Sequence, residues 1–232
     1  MSYFGRRDNP LLHCCATEPL RLGRAQVLRE LPGGALVREN GANLHILAAD
    51  SKADAEALLL GAGDIDFIML CNADFAPLIE GYRLNRAMYL HQAAYFKPSP
   101  PPADPRLRIA LPDGRAFARI LQTYHMDTPE DLRNRLECGE LFFARDMDGA
   151  DVGFVGLHPE GCFGMVEVFP EQRGHGYGKA LEAHIIRFCL ESGRLPYCQV
   201  ELDNRVSINL QRAMGLEISP ETLLMARRTE EA

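Results

Sequence analysis

The sequence predicts an α/β protein with a mixed sheet, and three observations support this fold class. Short apolar segments of strand length alternate with segments of helical periodicity on both sides of a proline-rich stretch. Between residues 141 and 169, three strand-like segments follow one another with short turns between them, as in an antiparallel meander. A glycine-rich turn then leads directly into an amphipathic helix. Together, the meander and the alternating helices indicate that the sheet is mixed.

The proline-rich stretch marks the expected domain boundary. Five prolines fall between Pro98 and Pro105, and they disfavour both helix and sheet pairing. We therefore expect a smaller N-terminal α/β domain at 1–97, a stiff linker at 98–105 and a C-terminal domain at 106–232.

The elements expected in the first domain are short. Ser51 and Asp54 have the spacing of a capping box, which predicts a helix that runs through Leu58. Residues 73–96 mix helical and extended signals and support no single prediction. The predicted strands lie at 35–38, 44–48 and 65–71.

The second domain alternates more clearly between strands and helices. Thr128 is expected to cap a helix, because Pro129 occupies the first helical position and acidic residues follow it. The other predicted helices lie at 116–124, 178–192 and 205–214. The predicted strands lie at 107–111, 141–145, 152–157, 163–169, 197–202, 216–218 and 222–226.

Composition and charge place the chain among ordinary globular proteins. Of 232 residues, 47% are apolar and 25% are charged, and the formal charge of -7 is spread over both halves. Neither half is basic enough to indicate a nucleic-acid-binding surface. Residues 1–8 lack the apolar segment of a signal peptide, and no apolar run approaches the ~20 residues needed to cross a bilayer. We expect a cytoplasmic protein without nucleic-acid or membrane partners.

The seven cysteines show no spacing typical of a metal or disulfide framework. No Cys-x-x-Cys pair is matched by a second pair or by a histidine cluster. We therefore expect reduced thiols, buried in the cases of Cys162 and Cys189, and no bound metal.

Gly174, Gly176 and Gly178 alternate immediately before the helix predicted at 178–192, with Arg173 beside them. Glycines bring backbone amides close to a ligand, and a helix N-terminus carries unpaired donors and a positive dipole end. This pattern indicates a phosphate-binding turn, although an unoccupied tight turn is also compatible with glycine spacing alone.

Two other phosphate-binding motifs fit the spacing less well. A P-loop requires glycine at Arg173 and serine or threonine at Ala180, so it fails at both positions. A dinucleotide-binding turn requires a third glycine at Lys179 and a parallel strand directly before the first glycine. This motif is the weaker alternative, because Lys179 occupies the third glycine position and the preceding strand belongs to a meander. It stays open, since Glu201 lies where a ribose-binding acid would be expected.

Two motifs resemble those of the GNAT superfamily of acyl-CoA-dependent N-acyltransferases. The segment 173–178 matches the pattern Gln/Arg-x-x-Gly-x-Gly/Ala, and a second stretch is similar to the family's last helix motif. The resemblance covers about residues 106–228. The second motif consists of Asn204, Ser207, Leu210 and Gly215.

The resemblance implies transfer of an acyl group, most often acetyl, from acyl-CoA to a primary amine of a small molecule or peptide, without a metal. The first domain could be a degenerate copy of the same fold, as in glycine N-acyltransferase-like members. Val168 is expected to contact the pantetheine arm, and Asn204 to contact the cofactor from the other side. The residues expected to hold the pyrophosphate are Arg173, Gly174, His175, Gly176, Tyr177 and Gly178.

The catalytic groups depart from the family pattern. The glutamate that several members use as a base falls near Cys162, so Glu167 becomes the candidate base, with a solvated sheet residue or a water relay as alternatives. Gln211 replaces the usual tyrosine and cannot give a proton to a thiolate; Tyr177 and Tyr197 are possible substitutes. His158 is expected in a turn, and His175 is expected to act through its backbone. A catalytically inactive acyl-CoA-binding or interaction module is the alternative function.

Overall fold

The computed structural model describes residues 2–6 and 9–229, which contain seven α-helices and eleven β-strands. The helices are α1 Tyr3–Arg6, α2 Pro10–Arg21, α3 Lys52–Leu59, α4 Gly114–Thr123, α5 Pro129–Glu137, α6 Tyr177–Glu191 and α7 Arg205–Met214. The strands are β1 Ala25–Leu31, β2 Gly34–Glu39, β3 His45–Ala49, β4 Phe67–Leu70, β5 Arg86–Ala94, β6 Leu107–Ala110, β7 Leu141–Asp146, β8 Asp151–Gly156, β9 Glu167–Val168, β10 Tyr197–Glu201 and β11 Glu217–Arg227. Two 3₁₀ segments occupy Ala73–Tyr82 and Pro170–Gln172.

The strands form two sheets, and the predicted mixed α/β fold is confirmed. The larger sheet has the order β1-β2-β3-β4-β11-β5-β10, and the smaller one has the order β6-β7-β8-β9. Strands β3 and β4 are parallel, whereas the other neighbours in both sheets are antiparallel.

The two halves of the chain exchange strands across the proline-rich segment. Residues 98–105 form neither helix nor strand. Strand β5 precedes them but pairs with β10, with Ala94 opposite Tyr197, and also with β11. Strand β11 in turn pairs with β4, with Leu70 opposite Leu224. The larger sheet is therefore built from both halves, and the division into domains at the linker stays a prediction.

The same order of elements occurs twice along the chain. In the first half, the meander β1-β2-β3 is followed by α3, β4, a 3₁₀ segment and β5; in the second half, β7-β8-β9 is followed by α6, β10, α7 and β11. The two copies differ at one junction. Strands β3 and β4 pair directly, with His45 opposite Ile68, whereas β9 and β10 end different sheets.

Several helices begin at the residues predicted from capping patterns. The side chain of Ser51 accepts a hydrogen bond from the Asp54 amide at 3.1 Å. Thr128 and Asp131 form a capping box at the start of α5. Each cap satisfies amides that the first helical turn leaves without an intrahelical acceptor.

Helix α6 is held in place by an apolar cluster that joins the two sheets. Leu181, Ile185 and Cys189 of α6 pack in the same cluster as Val155 of β8 and Cys198 of β10. Each of these side chains is almost completely buried. The start of α6 is therefore fixed relative to the edges of both sheets.

Two predicted strand regions differ from the structure. Within the segment 163–169, only Glu167–Val168 forms a strand. The segments 216–218 and 222–226 are parts of one strand, β11, with an irregularity between Ile218 and Thr222. Pro220 has no amide donor, and the hydroxyl of Ser219 there accepts from the Gln92 amide at 3.1 Å.

Candidate functional site

A gap separates β9 from β10 because the chain before β9 leaves the sheet. The Phe163 amide donates to the Tyr197 carbonyl at 2.8 Å, which joins the two segments at one point. The Val166 amide then donates to the Gly164 carbonyl at 2.9 Å, closing a tight turn within the segment. Beyond this turn β9 pairs with β8 and β10 pairs with β5. Beyond Phe163, the edges of β9 and β10 therefore run apart, and the gap lies between them.

Strand β9 approaches β8 closely because β8 carries a glycine at the contact. Gly153 lies opposite Val168, and a Cβ at Gly153 would overlap the carbonyl oxygen of Glu167. The position of β9, and so of the edge that faces the gap, therefore depends on Gly153. The sequence pattern did not identify this glycine.

The glycine-rich turn links the end of β9 to the start of α6. Gly174 and Gly176 have φ values of 83° and 79°, which side chains rarely adopt, and Gly176 is the N-cap of α6. A Cβ at either glycine would meet no atom within 4 Å, so the space beside the turn is open. At Gly178 a Cβ would lie 3.6 Å from the Leu210 side chain, in ordinary contact with α7. The amides that begin α6 remain available to an anion.

Cationic and aromatic side chains surround this turn. The Nε of Arg173 donates to the Val168 carbonyl at 3.1 Å and so ties the turn to the end of β9. The His175 ring stacks on Tyr177 with centroids 5.7 Å apart. Arg106 donates to the His175 carbonyl at 3.2 Å and lies 5.0 Å from the centre of the Tyr177 ring. Arg106 follows the proline-rich segment directly, and sequence reasoning missed it.

Asn204 is the N-cap of α7. Its side-chain oxygen accepts a hydrogen bond from the Ser207 amide at 3.0 Å. The structure thus gives Asn204 a local role in starting the helix, and its predicted contact with a cofactor stays a prediction.

Glu167, the candidate base, is half-buried on β9 opposite Phe154. Tyr124 packs edge-on against Phe154, with centroids 5.6 Å apart. Burial raises the pKa of Tyr124 far above its ordinary value, and negative charges including Glu167 and Asp127 add to the shift. Tyr124 therefore keeps its proton at neutral pH and offers a hydroxyl near Glu167.

His158 and Asp127 form a pair that sequence reasoning missed. The two residues are distant in sequence, yet Nδ1 of His158 lies 3.2 Å from the Asp127 carboxylate. His158 lies in the expected turn, since its carbonyl accepts from the Gly161 amide at 2.8 Å. Burial alone would lower the pKa of His158, but Asp127 and Glu160 raise it above its ordinary value. Only the folded chain brings these residues together, so local spacing carries no signal for them.

The two proposed substitutes for the missing tyrosine differ in exposure. Tyr197 is fully buried and donates to the Glu160 carbonyl at 2.7 Å, and burial raises its pKa well above the ordinary range. Tyr177 lies at the start of α6 beside Arg106. Cys162 is also buried, which raises the pKa of its thiol well above the ordinary value.

Gln211, which the sequence resemblance aligns with the family tyrosine, is buried on α7 where this helix faces α6. Its Nε2 donates to Oε1 of Glu182 at 2.6 Å. Burial raises the pKa of Glu182 to about 8. Oε2 of Glu182 and the single oxygen of Gln211, Oε1, have no hydrogen-bond partner. The helical pattern of α6 gave no indication that a carboxyl group would lie in its buried face.

The described residues, 2–6 and 9–229, include no helix that is long and apolar enough to cross a membrane. They also contain no group of three or more histidine, cysteine, aspartate or glutamate side chains that could hold a metal ion. All seven cysteines are free thiols.

Residues 107–216 match the model of the Acetyltransferase (GNAT) family. No curated protein sequence gives a significant match.

Solved structures share the fold at low sequence identity. A Drosophila protein superposes with a TM-score of 0.68 at 12% identity, over 94% of this chain and 87% of its own. A GCN5-related N-acetyltransferase from Kribbella flavida gives 0.58 at 14% identity, over 97% and 98%. An acetyltransferase of the GNAT family from Colwellia psychrerythraea gives 0.53 at 15%, over 97% and 93%.

Proposed function

We propose that the protein is an N-acyltransferase of the GNAT acetyltransferase family, because residues 107–216 match the model of that family. The reaction is transfer of an acyl group, acetyl in the simplest case, from acyl-CoA to a primary amine by direct attack on the thioester. The acceptor is a small molecule or a peptide. One observation carries the proposal: a glycine turn with open space beside it lies at the N-terminus of α6, next to the gap between β9 and β10.

The acyl-CoA site proposed here runs from the turn into the gap. The pyrophosphate binds the amides of residues 173–178, because those amides lie at the positive end of the α6 dipole. The pantetheine arm extends along β9 past Val168, where an unpaired strand edge offers backbone hydrogen bonds. Asn204 contacts the cofactor from the start of α7. Arg106 is added to this set, since its guanidinium already lies against the turn.

Glu167 is proposed as the first proton acceptor. An amine arrives at neutral pH as an ammonium ion and must lose a proton before its lone pair can attack. The Glu167 carboxylate attracts the cation and takes this proton directly or through one water. Support comes from its position on β9, whose edge faces the gap.

The first half of the chain is proposed to be a reduced copy of the second, as in two-domain glycine N-acyltransferase-like proteins. The repeated element order supports this view. Strands β3 and β4 pair directly, whereas the corresponding strands of the second half, β9 and β10, are separated by the gap. The first half therefore has no gap at this position. The cytoplasmic location stays a prediction.

The second candidate function is an acyl-CoA-binding module without catalysis. The replacement of the family tyrosine by Gln211, which is buried and bonded to Glu182, favours this candidate. A thiol-release assay over a panel of primary amines distinguishes the two functions, because a binding module releases no CoA thiol with any amine.

Calorimetry with acetyl-CoA tests the proposed site. The wild-type protein is expected to bind saturably, and Gly176→Asp is expected to abolish binding because it adds a negative charge at the pyrophosphate position. Gly61→Asp is the matched control, since Gly61 also has a positive φ of 75° but lies in the first half of the chain. Absence of heat and of thermal stabilisation with millimolar acetyl-CoA would contradict the proposal.

A further inference from the structure

Ionisable side chains cluster beside the gap, on the face of the smaller sheet covered by α4 and α5. The face is identified by an apolar cluster that contains Ile120 of α4, Leu132 of α5 and Phe154 of β8. Tyr124 packs on Phe154. The pair of His158 and Asp127 lies close to Tyr124, because the charge of Asp127 raises the pKa of both Tyr124 and His158. The pyrophosphate turn does not use these groups.

The His158 ring is oriented by its contacts on two sides. Its Nδ1 lies 3.2 Å from the Asp127 carboxylate, which can only accept a hydrogen bond when ionised. The contact is an ion pair and not a formed hydrogen bond, because Oδ2 of Asp127 has no hydrogen-bond partner. A neutral ring with its proton on Nδ1 and its lone pair on Nε2 is the tautomer that can donate to this carboxylate, and we assign that tautomer to His158. This is the arrangement that a carboxylate imposes on a histidine base.

The Nε2 atom lies above the tight turn where the gap opens. A Cβ built on Gly164 would be only 2.6 Å from Nε2, so the ring lies directly on the Gly164 backbone. Gly164 is the residue whose carbonyl closes the turn with the Val166 amide. The basic nitrogen thus faces the point at which the edges of β9 and β10 begin to diverge.

We propose that His158, oriented by Asp127, is the second acid–base group of the reaction and accepts the proton that the amine nitrogen loses when the amide forms. This inference rests on the proposed acyltransferase function. His158 is the catalytic residue at the point where β9 and β10 begin to diverge, and Asp127 is the positioning residue beside it.

The proton balance of the reaction calls for two such groups. An ammonium ion loses one proton to Glu167 before attack, and that proton leaves to solvent. As the C–N bond forms, the nitrogen becomes cationic again, and its second proton passes to Nε2 of His158. The C–S bond then breaks, and the protonated ring returns this proton to the CoA thiolate. The products are the amide, the CoA thiol and one released proton.

The charges around His158 suit a group that gains and loses a proton near neutrality. Asp127 from the α4–α5 loop and Glu160 from the turn after β8 stabilise the imidazolium, whereas Arg135 of α5 opposes it. Burial opposes it as well, and the balance raises the pKa of His158. The neutral ring is thus the base above this pKa, and activity is expected to fall as the pH drops through it.

The test measures kcat against pH for thiol release and follows the His158 ring by ¹⁵N NMR with and without acetyl-CoA. His158→Gln is expected to lower kcat by about 100-fold with little change in the acetyl-CoA dissociation constant. Asp127→Asn is expected to move the acidic limb of the kcat profile to lower pH, because it removes the carboxylate that raises the His158 pKa.

Gly164→Ala provides a variant in which His158 is intact but displaced, and it is expected to lower kcat while acetyl-CoA still binds. His125→Gln is the matched control, since His125 is an exposed histidine in the same loop as Asp127. A kcat and an acidic limb that are unchanged in His158→Gln would overturn the proposal.

The acyltransferase function and the role of His158 can be disproved separately. If the wild-type protein releases no thiol with any amine, the proposed function fails. The NMR measurement then still decides the pairing, because a His158 pKa that does not fall in Asp127→Asn, or a ring signal unaffected by acetyl-CoA, would overturn the inference itself.

Discussion

The Glu140 carboxylate meets the Arg24 guanidinium at 2.6 Å, although the two residues lie in different halves of the chain. Arg135 of α5 and Arg194, which follows α6, also contact Glu140, at 2.8 and 2.6 Å. Only 1% of the Glu140 side chain is exposed. One buried carboxylate therefore connects the first half of the chain to two elements of the second.

Glu140→Gln is expected to lower the free energy of unfolding by about 3–5 kcal/mol, because it leaves three guanidinium groups near a neutral amide. Urea denaturation measures this change. Glu137→Gln at the exposed end of α5 is the control and is expected to change stability by less than about 0.5 kcal/mol. Equal midpoints for the two variants would contradict the assigned role.

The same carboxylate predicts a loss of stability in acid. Burial would raise the pKa of Glu140, but its contacts with Arg24 and Arg194 outweigh burial and lower it. The resulting stabilisation is present above the unfolded glutamate pKa of about 4.3 and is lost as the pH falls through the lower folded value. Glu140→Gln is therefore expected to show a shallower loss of unfolding free energy in acid than the wild type, and parallel profiles would argue against this.

Glu182 predicts a pH dependence of opposite sign. Its folded pKa of about 8 lies above the unfolded value, so the folded state holds a proton that the unfolded state has released. Stability should fall as the pH rises toward 8, by at most about 1.4 kcal/mol per pH unit. Glu182→Gln keeps the shape of the neutral acid, so its stability should stay nearly constant over that range. Urea midpoints measured between pH 5 and 9 test this, and a wild-type midpoint that does not decline would refute it.

Arg106→Gln is expected to weaken acetyl-CoA binding about tenfold, because a charged hydrogen-bond donor beside the pyrophosphate turn is lost. Calorimetry at low and moderate salt checks this, and the effect should shrink as salt screens the charge. Arg108→Gln is the matched control, as Arg108 is exposed on the adjacent strand β6. Equal losses in both variants would indicate a general charge effect instead.

Local patterns predicted the elements that depend on local interactions. Thr128 and Ser51 begin the predicted helices, because capping involves residues only three positions apart. The glycine turn was predicted for the same reason, since positive φ angles at Gly174 and Gly176 are a local requirement. The family resemblance of the second half is supported by the family match to residues 107–216.

Features that depend on distant residues were not predicted. Strand β5 lies in a segment of mixed signals, and its place between β10 and β11 is determined by pairing with residues more than 100 positions away. The strand expected at 163–169 is interrupted by the turn that the Val166 amide closes on the Gly164 carbonyl, at the point where the distant His158 ring lies against Gly164. His158 and Asp127 are brought together by the packing of α4 and α5 on the sheet.

The exchange of strands between the halves has a consequence for biosynthesis. Strand β5 leaves the ribosome roughly 100 residues before its partner β10, and β4 leaves it roughly 150 residues before its partner β11. At typical translation rates of about 5–20 residues per second, these strands wait roughly 5–30 s with an unpaired edge. Such edges pair readily with another chain, so nascent copies on one messenger RNA are exposed to intermolecular exchange until Glu217–Arg227 emerges. Strand β11, the last strand among the described residues, is the one that ends this exposure.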